Sequence, residues 1–284
     1  MKKKKFNLVL GTAQLDKNYS FSKKRLGLSS FKKIIQLSQK KNNLFIDTAL
    51  GYKSSEKILS KFNLTKFNII TKINNSNDKI IEKLILSKKK LKIKKFYGVL
   101  FHSEKELLNK KPNEFVELVK SLKSNNITNK IGVSIYTLKS LKKIINKFDI
   151  NIIQLPANLF DKRFLSQKLL GKLRQKKIKV FARSIFLKGM LVNKKFRDEN
   201  RAMVKYKKEF DAYENWVIKE NIVNKKFFCI NFILKNTINN IVIGFDNFNE
   251  YEEISNYQNI KYVLPPNFIK YQSDNNKLLR PDLW

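Results

Sequence analysis

The chain has 284 residues, of which 42% are hydrophobic, and this length suits a domain with a large core. Its net charge of +37 would fit a polyanion-binding protein, but only seven of its 60 basic residues are Arg and the lysines are spread along the whole chain. Compositional drift explains this charge more simply, so no specific nucleic-acid binding is expected. With one cysteine, Cys229, and no apolar run near the roughly 20 residues of a membrane span, we expect a cytoplasmic protein that crosses no membrane.

Short β-type runs alternate with longer stretches of helical periodicity, which is the pattern of a parallel α/β fold. The predicted strands are Asn7–Gly11, Leu44–Asp47, Asn68–Lys72, Tyr97–His102, Lys130–Ser134, Asn151–Gln154, Lys179–Ser184 and Asn240–Gly244. The predicted helices are Ser29–Lys41, Ser54–Phe62, Asp78–Leu91, Pro112–Ser124, Leu138–Phe148, Leu165–Lys176, helical material from Arg201 to Asn236, and Asn249–Tyr257. Ser29 or Ser30 is the expected N-cap of the first helix, and Pro112 suits a first helical turn.

Eight strand–helix units in one chain predict the α/β fold class and, within it, a (β/α)8 TIM barrel. No Gly- or Ser-rich linker divides the sequence, so we expect a single domain over residues 1–284. The competing doubly wound fold would need a glycine-rich turn after the first strand. That turn contains one glycine, Gly11, and the pattern G-x-G-x-x-G does not occur.

Four chemically useful side chains lie at or just after predicted strand ends. Asp47 and Lys72 end the second and third strands, His102 ends the fourth and is the only histidine, and Tyr52 follows Asp47 by five residues. The carboxyl ends of parallel barrel strands meet at one mouth, where such enzymes do their chemistry. Singly, each residue has a structural explanation as a cap, an ion-pair partner or a packed ring. Together they predict a catalytic site without a metal.

The segments around these residues resemble the aldo-keto reductase family, from about Leu8 to Tyr257. The resemblance is carried by LGTAQ at 10–14, FIDTALGY at 45–52 followed by Ser55 and Glu56, ITK at 70–72, LFH at 100–102, IGVS at 131–134, IQ at 153–154 and ARS at 182–184. It implies NAD(P)H-dependent reduction of an aldehyde or ketone, with Tyr52 as proton donor. Lys72, held by Asp47, would lower the pKa of the phenol from its usual value of about 10, and His102 would hold the carbonyl oxygen.

The same resemblance implies a nicotinamide cofactor, NADP(H) or NAD(H), bound at the barrel mouth. The implied cofactor-binding residues are Gly11, Thr12, Ala13, Asp47, Ser134, Gln154, Arg183, Ser184, Gly244, Asn247, Glu250 and Glu253, the last against the adenine. The chain departs from the family at Ile135, where an Asn usually holds the carboxamide, so Gln154 is the candidate replacement. It departs again at Arg183, where many members stack an aromatic ring on the nicotinamide and where a flat guanidinium could stack similarly.

The choice between the two cofactors depends on the region after the eighth strand. Family members that hold the 2′-phosphate of NADP(H) have Lys or Arg near the positions of Gly244, Asp246 and Glu250. This chain has carboxylates at two of these positions, Asp246 and Glu250. A carboxylate repels a phosphate and accepts a hydrogen bond from a ribose hydroxyl instead. We therefore expect an NADH preference or dual use.

Several assignments stay open from the sequence. The alternative functions are a regulatory barrel that binds a nicotinamide nucleotide without turnover, and a polyanion-binding protein. The closing residues Arg280 to Trp284 resemble the tail of bacterial members associated with surface glycans, so a keto-sugar substrate and a role in carbohydrate metabolism are expected. The oligomeric state is not indicated. The segment Leu187–Asn200 is a candidate cover of the cofactor or substrate, and its basic residues suit either an anionic ligand or a solvated surface: Lys188, Lys194, Lys195 and Arg197. Phe160 and Phe186 are candidates for lining the pocket or for packing in the core. Glu56 is expected to support the second helix.

Overall fold

Eight parallel strands close into a barrel in which each strand pairs with the next in sequence and the last pairs with the first. The structure is a computed structural model that describes residues 6–16, 26–74, 79–269 and 277–280, apart from the side chain of Lys53. The strands are β1 (Asn7–Gly11), β2 (Phe45–Asp47), β3 (Asn68–Ile73), β4 (Gly98–Phe101), β5 (Ile131–Ser134), β6 (Ile152–Pro156), β7 (Lys179–Arg183) and β8 (Asn240–Ile243). This confirms the (β/α)8 prediction; the domain bounds of 1–284 extend past the described residues and stay a prediction.

Helices surround the barrel and cover its outer face. They are α1 (Leu28–Lys40), α2 (Lys53–Leu59), α3 (Ile80–Lys90), α4 (Glu104–Leu108), α5 (Pro112–Ser124), α6 (Leu138–Lys147), α7 (Gln167–Gln175), α8 (Lys194–Asp198), α9 (Lys207–Lys219), α10 (Lys225–Lys235) and α11 (Phe248–Ser255). Among the described residues, no helix combines the length and apolar character needed to cross a bilayer.

The predicted strands and long helices are present in the structure, which differs at several element ends and by two short helices. The N-cap of α1 is Gly27, not Ser29 or Ser30. The backbone of Gly27 is extended, and its carbonyl oxygen accepts a hydrogen bond from the Phe31 N–H at 2.9 Å, so the helix begins earlier than predicted. The short helices α4 and α8 were not predicted, since five residues show little periodicity. Asp78, the first residue of the third predicted helix, lies outside the described residues, and α3 begins at Ile80 after its N-cap Lys79.

Two apolar layers hold the barrel. Inside it, five residues from five of the strands fill the centre, and each is fully buried: Val9, Ile70, Leu100, Ile152 and Phe181. A much larger cluster lies between the strands and the helices. In the strand wall, a Cβ on Gly132 would lie 2.1 Å from the carbonyl oxygen of Ile152, so only glycine fits where β5 and β6 approach.

Candidate active site

The four predicted catalytic residues line one cleft at the carboxyl ends of the strands. Asp47 ends β2, Lys72 lies near the end of β3, His102 follows β4 directly, and Tyr52 is the N-cap residue of α2. All four line a cleft of about 430 Å³. The parallel register explains this, because strand ends that are far apart in sequence share one rim of the barrel.

A buried ion pair lies at the base of the cleft. The Lys72 Nζ donates to Asp47 Oδ2 at 2.5 Å, and Gln154 Nε2 donates to Asp47 Oδ1 at 2.8 Å. Both charged side chains are nearly inaccessible, at 3% for Lys72 and 8% for Asp47. Burial lowers the pKa of the Lys72 ammonium, Asp47 opposes this, and the positive charge of Arg183 adds to it. Asp47 is therefore what favours the charged form of Lys72.

Tyr52 and His102 lie above this ion pair with their rings edge to face. Their ring centroids are 5.9 Å apart at an interplanar angle of 82°, and Lys72 Nζ lies 5.9 Å from the Tyr52 centroid. The Tyr52 N–H donates to the Ala49 carbonyl at 3.0 Å, which fixes the turn that carries the phenol. Burial, with the positive charges of Lys72 and Arg183, lowers the pKa of His102 to about 4. The imidazole is therefore neutral near pH 7.

Thr12 and Glu56 support these residues from behind. Thr12 is fully buried, and its N–H and hydroxyl both donate to the carbonyl oxygen of Asp47, at 3.0 and 3.1 Å. The carboxylate of Glu56 accepts from Ser87 Oγ at 2.5 Å, which ties α2 to α3. Glu56 thus supports its helix, as the sequence suggested, and Thr12 lies behind the cleft and not in its lining.

Most of the predicted cofactor residues also line the cleft. Those that do so are Gly11, Ala13, Asp47, Ser134, Gln154, Arg183, Ser184, Gly244 and Glu250. At one wall the side chain of Gln14 packs directly against Gly244, where a Cβ would lie 1.4 Å from the Gln14 side-chain oxygen. A cleft with hydroxyl and amide groups at its base and carboxylates on its β8 side fits an elongated polar molecule such as a nicotinamide nucleotide.

The β8 side of the cleft is acidic, but a lysine approaches it. Asp246 and Glu250 line this side, and Glu250 accepts a hydrogen bond from the Asp246 N–H at 3.1 Å. Asn247 is the N-cap of α11 and does not line the cleft. Lys226, from α10, lines it and forms an ion pair with Glu253 at 2.6 Å. The adenine contact expected of Glu253 thus falls on a carboxylate that is already held by a lysine.

The β7 side is cationic and carries an arginine stacked on a tyrosine. The guanidinium of Arg183 lies 4.3 Å from the centroid of Tyr136, and its Nη2 donates to the carbonyl oxygen of Ile135 at 3.1 Å. Ile135 itself is fully buried, so it presents a backbone acceptor where the family resemblance implied an Asn side chain.

The segment after β7 borders the cleft, as expected of a cover. Phe186, Lys188, Gly189, Val192, Asn193 and Phe196 line it. Several backbone positions here are left-handed, with φ of 57° at Ser184, 49° at Leu187 and 52° at Lys188, and such strain concentrates at functional sites.

Other residues expected in or near this cover have structural roles. Arg197, which was a candidate for an anionic ligand, is buried and paired with Glu214 at 2.9 Å. Lys194 and Lys195 are exposed. Phe160 is a core residue that packs against Phe210 at 5.3 Å.

The comparison with protein families agrees with this geometry. The model of the aldo/keto reductase family matches residues 7–271. The chain belongs to the aldo/keto reductase family. It is therefore an NAD(P)H-dependent oxidoreductase, and its substrates are small carbonyl compounds. Within the described residues, no cluster of His, Cys, Asp and Glu could hold a metal ion.

Solved structures with a similar fold are also reductases or dehydrogenases by name. An aldo-keto reductase from Bacillus halodurans, in its holo form, aligns with a TM-score of 0.70 and 14% identity over 92% of this chain and 93% of its own. A glycerol dehydrogenase from Gluconobacter oxydans aligns with a TM-score of 0.67 and 15% identity over 93% and 89% of the two chains. At such identities the likeness shows the fold alone. A comparison with curated protein sequences found no match.

Sequence reasoning missed Tyr136 and Lys226. Tyr136 lies two residues after the end of β5, where the family resemblance drew attention to Ile135 instead. Lys226 lies 27 positions before its partner Glu253, on a different helix. No local pattern marks either residue, because their role depends on how distant helices and loops pack around the barrel mouth.

Proposed function

We propose that this aldo/keto reductase reduces an aldehyde or ketone with Tyr52 as the proton donor. The observation that carries the proposal is the Lys72 ammonium, paired with Asp47 at 2.5 Å and 5.9 Å from the Tyr52 ring, in a cleft that also holds a neutral His102. A reduced nicotinamide bound in the cleft supplies the hydride. The remaining task for the protein is to hold the carbonyl group and to give its oxygen a proton.

The proton moves from the phenol of Tyr52 to the substrate oxygen. A phenol is a weak acid, with a pKa of about 10, and a neighbouring ammonium favours its phenolate. Lys72 supplies that ammonium, and Asp47 keeps it charged and in place although burial opposes the charge. His102 is uncharged near neutrality, so it donates a hydrogen bond to the carbonyl oxygen without supplying a competing acidic proton.

The nicotinamide ring would bind against Ser134 and Gln154, and the adenosine end would bind along β8 and α11. We propose that this end prefers NADH or accepts both cofactors, because Asp246 and Glu250 both line the cleft there. Lys226 is the lysine in position to act against this preference, although Glu253 already engages it. Titration of both reduced cofactors by fluorescence quenching tests the point. If NADPH bound more than about tenfold tighter than NADH, a difference of about 1.4 kcal/mol in binding free energy, the proposed preference would be contradicted.

The substrate is proposed to be a polar carbonyl compound, with keto-sugars as the first class to test. This rests on the polar side chains that line the cleft and on the resemblance of the C-terminal tail, whose last four residues lie outside the described part of the chain. The cytoplasmic location predicted from the sequence also stays a prediction.

A carbonyl panel tests turnover, with loss of the reduced cofactor as the signal and Tyr52→Phe as the matched variant. Reduction by the wild-type protein and its loss in the variant, with cofactor affinity retained, is the expected result. Cofactor binding without turnover of any carbonyl by the wild-type protein would favour a regulatory barrel. Equal turnover by both proteins would remove Tyr52 as the donor.

A further inference from the structure

Within the described part of the chain, an arginine in the catalytic cleft has no charged partner. Arg183 lines the cleft and is only partly buried, yet among the described residues no carboxylate forms an ion pair with it. Its Nη atoms donate to a neutral carbonyl and a hydroxyl, and its buried Nε has no hydrogen-bond partner in the described part of the chain. A poorly solvated cation is costly when no anion compensates it. Each Nη carries a second N–H that these bonds do not use, so an anion in the cleft can bind at the Nη atoms, whereas the buried Nε is out of its reach.

The arginine is held in place by a rigid support. Its guanidinium packs on the ring of Tyr136, whose N–H donates to Glu104 Oε2 at 2.5 Å and whose carbonyl accepts from Arg163 Nη1 at 3.0 Å. Arg163 is in turn fixed by Asp161 at 2.7 Å, with both side chains fully buried. Buried charged groups thus clamp the Tyr136 backbone on both sides. Fixing a guanidinium in this way lowers the entropic cost of binding a planar anion.

The charges around the cleft are separated by side. Lys188 joins Arg183 on the β7 side, and the guanidinium of Arg280 lies 4.9 Å from the Tyr136 ring centroid. The β8 side presents the carboxylates of Asp246 and Glu250, and its lysine, Lys226, is paired with Glu253. An anionic group in the cleft is attracted to the β7 side and repelled from the β8 side.

We propose that the substrate of this reductase carries a carboxylate and that Arg183 binds it. The inference deepens the proposed carbonyl reduction and rests on it. A carboxylate is favoured because a flat guanidinium held against a flat ring matches a planar, bidentate anion. The family resemblance implied instead that Arg183 contacts the cofactor. The two roles can be separated, because substitution of a cofactor contact weakens cofactor affinity, whereas substitution of a substrate contact lowers kcat/KM for the carboxylate substrate.

The test compares para-carboxybenzaldehyde with its methyl ester, which has the same reactive aldehyde but no charge. Arg183→Gln removes the charge from the cleft, Arg183→Lys keeps the charge without the planar fork, and Arg174→Gln is the matched control. Arg174 is exposed on α7 and bonds to Thr237 Oγ1 at 2.8 Å, so its substitution changes the net charge equally. Cofactor affinity is measured for each protein by titration.

The wild-type protein is expected to have a kcat/KM at least about tenfold higher for the acid than for the ester. Arg183→Gln should lower kcat/KM for the acid about 10- to 100-fold, mainly through KM, which is the range of a hydrogen bond to a charged group. It should lower the value for the ester less than about threefold and leave cofactor affinity unchanged, and Arg183→Lys should fall between. Arg174→Gln should change neither. Equal losses on acid and ester, or a cofactor affinity weakened more than about tenfold, would overturn the proposal.

A binding measurement separates this proposal from the reductase proposal. Benzoate and benzamide are titrated by calorimetry into the protein saturated with the oxidised nucleotide. Benzoate binding that exceeds benzamide binding about tenfold, and that Arg183→Gln abolishes, supports the carboxylate site even if neither aldehyde is reduced. Equal binding of the two compounds overturns it, even if the ester is reduced well.

Discussion

Replacing Asp47 with Asn tests the buried ion pair through two independent readouts. The change removes the only partner in an ion pair with Lys72 among the described residues and leaves an ammonium that is 3% exposed. Breaking a buried ion pair by removing one partner costs about 3 to 5 kcal/mol of unfolding free energy. Because the pair is almost fully inaccessible, solvent screening reduces this value little. Urea unfolding near neutral pH measures it.

The pH dependence of the loss follows from the direction of the Lys72 pKa. Burial lowers that pKa and Asp47 opposes the lowering, so Asp47→Asn lowers it further. The folded variant then holds Lys72 neutral at a pH where the unfolded chain still binds the proton. Stability therefore rises with pH, by at most about 1.4 kcal/mol per unit, until the ordinary lysine pKa of about 10.4 is reached. The deficit of the variant relative to the wild type should shrink as pH increases.

The double variant Asp47→Asn/Lys72→Met completes the cycle. Removing the orphaned ammonium should recover most of the lost stability, since uncharged pairs in a core are often no less stable than ion pairs. Turnover should not recover, because the Lys72 ammonium beside Tyr52 is then gone. An Asp47→Asn variant with wild-type stability and a double variant no more stable than it would refute the role assigned to the pair.

Three further predictions use other parts of the molecule. Tyr52→Phe should reduce turnover at least about a hundredfold and keep cofactor affinity, as measured by steady-state rates and titration. The free energy of unfolding of the wild type should fall by about 2 to 3 kcal/mol as pH falls from 6.5 to about 4, because in this range the unfolded chain binds a proton at His102 and the folded chain does not. Urea unfolding as a function of pH measures this loss. His102→Asn removes the only histidine, so its unfolding free energy should lack this part of the pH dependence. Gly132→Ala should destabilise the protein by about 2 to 3 kcal/mol through a 2.1 Å contact with a strand carbonyl, whereas Gly171→Ala, with nothing within 4 Å of its Cβ, should be neutral or stabilising in thermal unfolding.

The strands and the four central residues could be predicted because topology constrains them. A parallel barrel brings all its strand ends to one rim, so Asp47, Lys72 and His102 needed only correct strand assignments to be placed together. Tyr52 followed from its short distance to Asp47 along the chain. The helix ends were less exact, as Gly27 shows, because several adjacent residues satisfy the same capping rules.

The surroundings of the site could not be predicted, since they depend on packing between distant segments. Arg183 was expected to face the nicotinamide, but its stacking on Tyr136 required the loop after β5 to turn back toward β7. The ion pair of Lys226 with Glu253 likewise joins α10 to α11. A sequence pattern reports periodicity along one element, and such contacts leave no periodic signal.

The charge of the whole chain and the charge of the cleft have different consequences. Surface lysines act on a substrate through water, where salt screens them within about 8 Å at physiological ionic strength, so they change how fast an anion arrives. Arg183 acts inside the cleft, where screening is weak and where its contacts with Tyr136 fix its direction. A net charge of +37 therefore says little about which carbonyl compound is reduced. The β8 side of the cleft also shows that local charge and net charge differ, because two carboxylates, Asp246 and Glu250, line it although the protein is strongly basic. Substrate selection depends on the few protein groups that contact the bound molecule. Para-carboxybenzaldehyde and its methyl ester differ only in the group proposed to contact Arg183, so comparing them tests this local selection.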